Sequence, residues 1–215
     1  MLFASFDFLL FFLPVLAAWW ALRQRPWART AVVLAASYFF YMASSRPVDG
    51  SLPTPWYFAG LLAFSTVLDY VCSARIDKLA ARAEAGADPR DAARKRNLWL
   101  TASVVGNLSL LGYFKYTNFF LEAFTDVANG LGASWVAPHL ELMLPIGISF
   151  YTFQSLSYTI DVWRGKLTPE PSFLKFAFFV VFFPQLVAGP IVRASEFLPQ
   201  MHVRPRLRLE DVNEG

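Results

Sequence analysis

The chain has 215 residues, of which 56% are apolar, 17% aromatic (22 Phe) and only 16% charged. About 25% charged residues is usual for a soluble domain, so this chain cannot cover a water-facing surface and its composition points to lipid as the main solvent. The net charge of +3 is too mild, and too scattered between apolar runs, to suggest a nucleic-acid partner.

A spanning helix needs about 20 mostly apolar residues, with about 17 to 25 tolerated. The first such run, Leu2 to Leu22, contains Asp7 and Pro14. A cleaved signal peptide is the rival reading, but the start lacks Lys and Arg, and Trp19 and Trp20 stand where small residues should precede cleavage. The second run is Thr30 to Ser45. The third, Trp56 to Ala74, contains Asp69 and the lone Cys72, which excludes an internal disulfide and reads as a small buried hydrophobe. Leu98 to Phe114 is the fourth, extensible past Lys115 to Leu121. Leu142 to Ile160 is the fifth, with Pro145 and Gly147 inside it, and Phe173 to Val192 is the sixth. The expected fold is all-α: a polytopic transmembrane helical bundle with about six membrane segments, forming part of a single multi-pass domain. No phosphate loop, zinc spacing or HExxH pattern is present, and no metal is expected.

The loops set the orientation. Arg23, Arg25 and Arg29 follow the first run, and only Arg46 follows the second. Arg75 to Arg96 carries seven basic residues; Lys115 stands alone after the fourth run, and Arg164 and Lys166 follow the fifth. Alternating rich and poor loops place the amino terminus outside, the Lys115 to Glu141 loop outside and residues 75–97 in the cytoplasm. The 75–97 segment is helix-prone on both sides of Gly86-Ala87-Asp88-Pro89, so it reads either as a helical hairpin on the membrane surface or as a solvated loop.

A full crossing of the sixth run would put Arg193, Arg204, Arg206 and Arg208 outside, against that pattern. Pro184 and Pro190 each remove a backbone donor and disfavour helix just before them. A broken or re-entrant segment that returns the basic tail to the cytoplasm resolves the conflict, and broken backbone is tolerated only inside protein or beside a water-filled cavity.

In the fifth run Gly147, Tyr151, Gln154, Tyr158 and Asp161 share one face, opposite Ile146, Phe150, Phe153 and Ile160. Such a stripe either lines a substrate tunnel or glues helices together. Asp69 and Lys115 either pair with one another or line an aqueous path. His139 and His202 are candidate bases by residue type, but neither lies at membrane depth.

Two blocks are more specific: Leu144 to Gly165 (LPIGISFYTFQSLSYTIDVWRG) and Phe182 to Gln200 (FFPQLVAGPIVRASEFLPQ). They resemble the membrane-bound O-acyltransferase family, in its bacterial branch of alginate O-acetylation and teichoic-acid D-alanylation proteins. The opening FASFDFLLFFLPV and the central GYFKYTNFF are similar to the same branch. The resemblance implies acyl transfer, here O-acetylation, from a cytoplasmic acyl thioester such as acetyl-CoA to hydroxyls of an exported polysaccharide. The acceptor is reached directly or through a periplasmic acetyltransferase partner, and the location implied is the bacterial inner membrane. The family's essential histidine lies in a Trp-His-Gly-like context that this sequence lacks. The chain is therefore expected to be an amino-terminal portion with that histidine beyond residue 215, inactive alone, and no catalytic residue carries over. The tunnel-forming blocks make Gln154, Asp161, Gln185, Pro190 and Arg193 the substrate-tunnel candidates. The competing classes are a polysaccharide-export or transporter component, in which the stripe and the break form a permeation path, and a non-catalytic scaffold.

Overall fold

A computed structural model describes residues 6–44, 56–132, 136, 138, 140, 144–189 and 192–203. Every regular element among the described residues is a helix: α1 (Phe6–Ala21), α2 (Pro26–Ser44), α3 (Trp56–Glu84), α4 (Pro89–Gly130), α5 (Ile148–Trp163), α6 (Phe173–Val181), α7 (Phe183–Ala188) and α8 (Ala194–Gln200). They form two compact units, one made of Met1–Thr54 with Glu170–Gly215 and the other of Pro55–Pro169. Among the described residues, one helix, Tyr57–Glu84, is long and apolar enough to cross a membrane. Phe6–Ala21 and Phe173–Leu186 are apolar but shorter.

In the Pro55–Pro169 unit, α3 and α4 form a long antiparallel hairpin. The chain turns at Gly86, whose φ of 100° lies in the left-handed region open to glycine. Asp88 then starts α4: its side chain accepts the Arg90 N–H at 2.9 Å, and Pro89 occupies the first helical position. Residues 75–97 are thus helical on both sides of the Gly86 turn, as the helical-hairpin reading expected, and not a loose loop; the two arms are continuous with the long helices. Arg75 to Glu84 continues α3 and Pro89 to Asn97 begins α4, because an Ala-rich charged stretch is a good helix former and nothing interrupts it before Gly86. At about 1.5 Å per residue, the 42 residues of α4 extend about 63 Å, twice a hydrocarbon core of about 30 Å. Lys115 is correspondingly inside α4, and the turn expected there begins at Leu131.

The fifth apolar run also starts later than its hydropathy suggests. Gly147 adopts a left-handed φ of 72°, and the Ile148 N–H donates to Pro145 O at 3.2 Å, so α5 begins at Ile148. It packs on both α3 and α4. Arg96 Nη2 donates to Trp163 O at 2.6 Å and Trp163 Nε1 to Asn97 Oδ1 at 3.0 Å, tying the end of α5 to the basic start of α4. At the other end, the Asn118 side-chain amide donates to Leu140 O (2.8 Å) and accepts the Leu140 N–H (3.1 Å).

Polarity in this unit is inverted. Ser65, Thr66, Asp69, Ser103, Asn107, Gln154 and Ser155 are buried, whereas Phe64, Val67, Leu108, Phe119, Phe120 and Phe124 are exposed. Soluble proteins rarely expose so much contiguous apolar surface.

The other unit is built on phenylalanine. Val33, Phe40, Phe178 and Phe183 form its core, with Phe8, Phe11, Phe12 and Trp19 packed around them. α1 and α2 form a hairpin, α2 packs on α6 and α7, and α6 packs on α8. The sixth apolar run is interrupted: α6 stops at Val181, Phe182 turns out to ψ 111°, and α7 follows with Pro184 in its first turn. The cause is local. A proline ring at 184 clashes with the carbonyl four residues back and offers that carbonyl no N–H. A second interruption comes at Gly189, after which Arg193 leads into α8.

Candidate functional site

Three helices meet at Asp69, each contributing a polar pair one turn apart: Ser65 and Asp69 on α3, Ser103 and Asn107 on α4, Ser155 and Thr159 on α5. The Ser103 hydroxyl donates to Asp69 Oδ1 in a short hydrogen bond. Asn107 Nδ2 donates to Oδ1 at 2.9 Å and to Oδ2 at 3.0 Å, while its Oδ1 accepts a short bond from the Ser65 hydroxyl. The Ser155 and Thr159 hydroxyls are buried on α5, which packs against both α3 and α4, and donate to Thr152 O and Ser155 O at 3.3 Å. Asp69 is fully buried, and Lys115 is not its partner: that ammonium is exposed, 5.4 Å from the Tyr116 ring centroid. The three spaced pairs are the signal that sequence reading missed, since each taken alone resembles ordinary small-residue content.

The expected face of α5 does point inward. Tyr151, Gln154 and Tyr158 are buried, Phe153 is exposed, and Asp161 is half-buried near the end of the helix. The Tyr151 hydroxyl is buried without a hydrogen-bond partner among the described residues. This face is a hydroxyl- and amide-lined seam inside the helix bundle.

At the interrupted segment, the Phe183 N–H released by the break donates to the Ser37 hydroxyl at 3.3 Å, and that hydroxyl donates in turn to Val33 O at 2.8 Å. Gln185 is buried in α7. A Cβ at Gly189 would lie 2.7 Å from Gln185 Cα, so only glycine fits that approach. Arg193 is exposed at the start of α8, and Pro190 lies outside the described residues. A cavity of about 350 Å³ opens beside the break, lined by Phe12, Trp19, Phe178, Phe182, Pro184 and Phe197. His202 sits at the unit's edge, bonded to Glu170 and Lys175, and His139 lies outside the described residues. Of the tunnel candidates, Gln154 and Asp161 belong to the Pro55–Pro169 unit, and Gln185 and Arg193 to the other.

No protein-family model matches the chain, and no solved structure matches it. Curated proteins do. The "Probable alginate O-acetylase AlgI" of Azotobacter vinelandii is 37% identical over 208 residues, covering 95% of this chain. The protein of the same name from Pseudomonas aeruginosa is 38% identical over 208 residues, again 95% of this chain. The chain is homologous to the alginate O-acetylases. The resemblance to the membrane-bound O-acyltransferases carried by the two sequence blocks is thereby borne out. A "Peptidoglycan O-acetyltransferase" from Helicobacter pylori is 37% identical over 131 residues, covering 49% of this chain and 24% of its own length. The chain spans only a little over a third of the alginate O-acetylases it matches, 36% and 35% of their lengths.

Proposed function

We propose that this chain is the helical, membrane-embedded part of an O-acetyltransferase that modifies hydroxyls of a cell-surface polysaccharide, alginate being the first candidate. The observation that carries this reading is identity of 37–38% to alginate O-acetylases across 95% of the chain. A peptidoglycan O-acetyltransferase among the relatives supports a polysaccharide acceptor as the common substrate class. The donor is an acyl thioester such as acetyl-CoA, and the acceptor is engaged directly or through a periplasmic acetyltransferase.

The inverted polarity supports a multi-pass position in the bacterial inner membrane, because polar groups in a bilayer turn toward helix neighbours and apolar ones toward lipid. In each unit, basic groups collect at one end: Arg75, Arg96 and Arg164 by the α3–α4 turn and the end of α5, Arg23, Arg29 and Lys175 by the α1–α2 turn. We assign both ends to the cytoplasm by the positive-inside rule, with α6 to α8 re-entering rather than crossing. Gln154 and Asp161 in one unit, and Gln185 and Arg193 with the neighbouring Pro190 in the other, are the proposed substrate-tunnel residues of their own units, the first four through amide, carboxylate and cationic groups. Such groups orient a carbonyl or sugar hydroxyl, and a water-poor channel strengthens each hydrogen bond they make. His202, held by Glu170 and Lys175, is not assigned as the base.

The test is a chimera in which this chain replaces the matching 208 residues of the Pseudomonas aeruginosa alginate O-acetylase. It is expected to restore O-acetyl groups on alginate in a strain lacking that protein. A chimera that reaches the membrane at normal levels yet leaves the polymer unacetylated would overturn the proposal.

A further inference from the structure

Arg29 is 3% exposed, its Nε lacks any acceptor, and no carboxylate among the described residues forms an ion pair with it. Its guanidinium lies 4.2 Å from the centroid of the Trp19 ring, which holds it in place but leaves its charge unneutralised. A cation withdrawn from water without a paired anion is costly, so this arrangement calls for one.

A place for that anion exists. Arg29 lines a cavity of about 150 Å³ together with Arg23, Lys175 and His202. Among the described residues, the carboxylate at this edge is already engaged: Glu170 Oε2 bonds His202 Nε2 at 2.9 Å and Oε1 accepts the Ser172 N–H at 3.1 Å. Lys175 Nζ lies 2.9 Å from His202 Nδ1, so the imidazole stands between this ammonium and the Glu170 carboxylate. Three cations therefore remain around one small polar cup. Guanidinium groups suit the forked oxygens of a phosphate, and basic pockets between membrane helices are a recurrent site for anionic lipid headgroups.

The cup has an apolar neighbour. Met201 lines both it and the 350 Å³ cavity beside the break, and Trp19, the ring under Arg29, lines that cavity too. A phosphate and a hydrocarbon chain would thus be received side by side. We propose that the cup and the cavity together hold the phosphate and one acyl chain of an anionic phospholipid.

Native mass spectrometry of the purified chain, equilibrated with phosphatidylglycerol, phosphatidylcholine or inorganic phosphate, tests this. Phosphatidylglycerol is expected to be retained about ten-fold better than phosphatidylcholine, with about a ten-fold loss of retention in Arg29→Gln. The paired rim variant Arg23→Gln with Lys175→Gln leaves the buried Arg29 in place. It decides the matter if Arg29→Gln fails to fold, and it is expected to lose phosphatidylglycerol comparably. Arg164→Gln, an exposed cation of the other unit, is the unaffected control. Equal retention of the two lipids, or undiminished retention in the paired variant, would overturn the site. Complete displacement of phosphatidylglycerol by inorganic phosphate would overturn the lipid assignment and give the cup to a soluble phosphate.

Discussion

Lys175 and His202, 27 residues apart in the chain, meet at 2.9 Å, Nζ to Nδ1. Between them lie α6, the break, α7 and α8, so the segment that begins at one level of the unit finishes at the same level. Phe183, near the middle of this excursion, bonds Ser37 on α2, eight residues beyond Arg29 and about 12 Å further along that helix. His202, rather than Arg193, is the residue brought back to the starting level; Arg193 opens the returning helix.

Accessibility follows from that closure. In a background where the buried Cys72 is replaced by Ala, cysteines introduced as Arg25→Cys, Arg90→Cys and Val203→Cys should react only with reagent on the cytoplasmic side. Val136→Cys, exposed beyond α4, should react from outside. Outside labelling of Val203→Cys would mean that the segment crosses.

The break should be needed for transfer more than for insertion. Pro184→Ala restores an N–H to the carbonyl four residues earlier and removes the ring clash, letting α6 run on through Phe182. In the chimera, O-acetylation of alginate is expected to fall about ten-fold or more, equivalent to about 1.4 kcal/mol of lost transition-state stabilisation, with membrane levels largely retained. Unchanged acetylation would show that the discontinuity is dispensable.

Glycine positions give a paired stability test. Gly189→Ala places a methyl group 2.7 Å from Gln185 Cα, a backbone atom that cannot swing aside. A loss of about 1–3 kcal/mol is expected from such overpacking. Gly112→Ala, in the middle of α4 with nothing within 4 Å of the new carbon, should be neutral or stabilise by about 0.5–1 kcal/mol. Thermal unfolding in detergent would rank the two, and equal midpoints would refute the steric reading at Gly189.

The Asp69 hub predicts a graded series. Asp69→Ala strands the donors of Ser103 and Asn107 inside the bundle, at about 1–3 kcal/mol for each unsatisfied group. Asp69→Asn keeps the volume and one acceptor and should cost less. Thermal unfolding of both variants checks the order; an Ala variant as stable as wild type would remove the hub from any structural account.

By itself the sequence determined the apolar, helical character and the relatives. Composition and apolar run length depend on residue type alone, and the blocks around Leu144 and Phe182 carry their similarity in the linear order of residues. It also placed the inward face of α5 and the interruption near Pro184, because helical periodicity and a missing N–H are local properties. Where helices start and stop was decided by turns: the left-handed Gly147 delayed α5 to Ile148, and of the two readings left open for residues 75–97 the helical one held, with α3 and α4 running unbroken up to the Gly86 turn. The tertiary structure alone decided the partners. Asp69 met Ser103 and Asn107 rather than Lys115, and Arg29 was left buried, lining a cavity with Lys175 and His202, with no carboxylate partner among the described residues. Hydrogen bonds and charge pairing depend on distances of a few ångströms between residues far apart in the chain, and hydropathy and spacing carry no record of those distances.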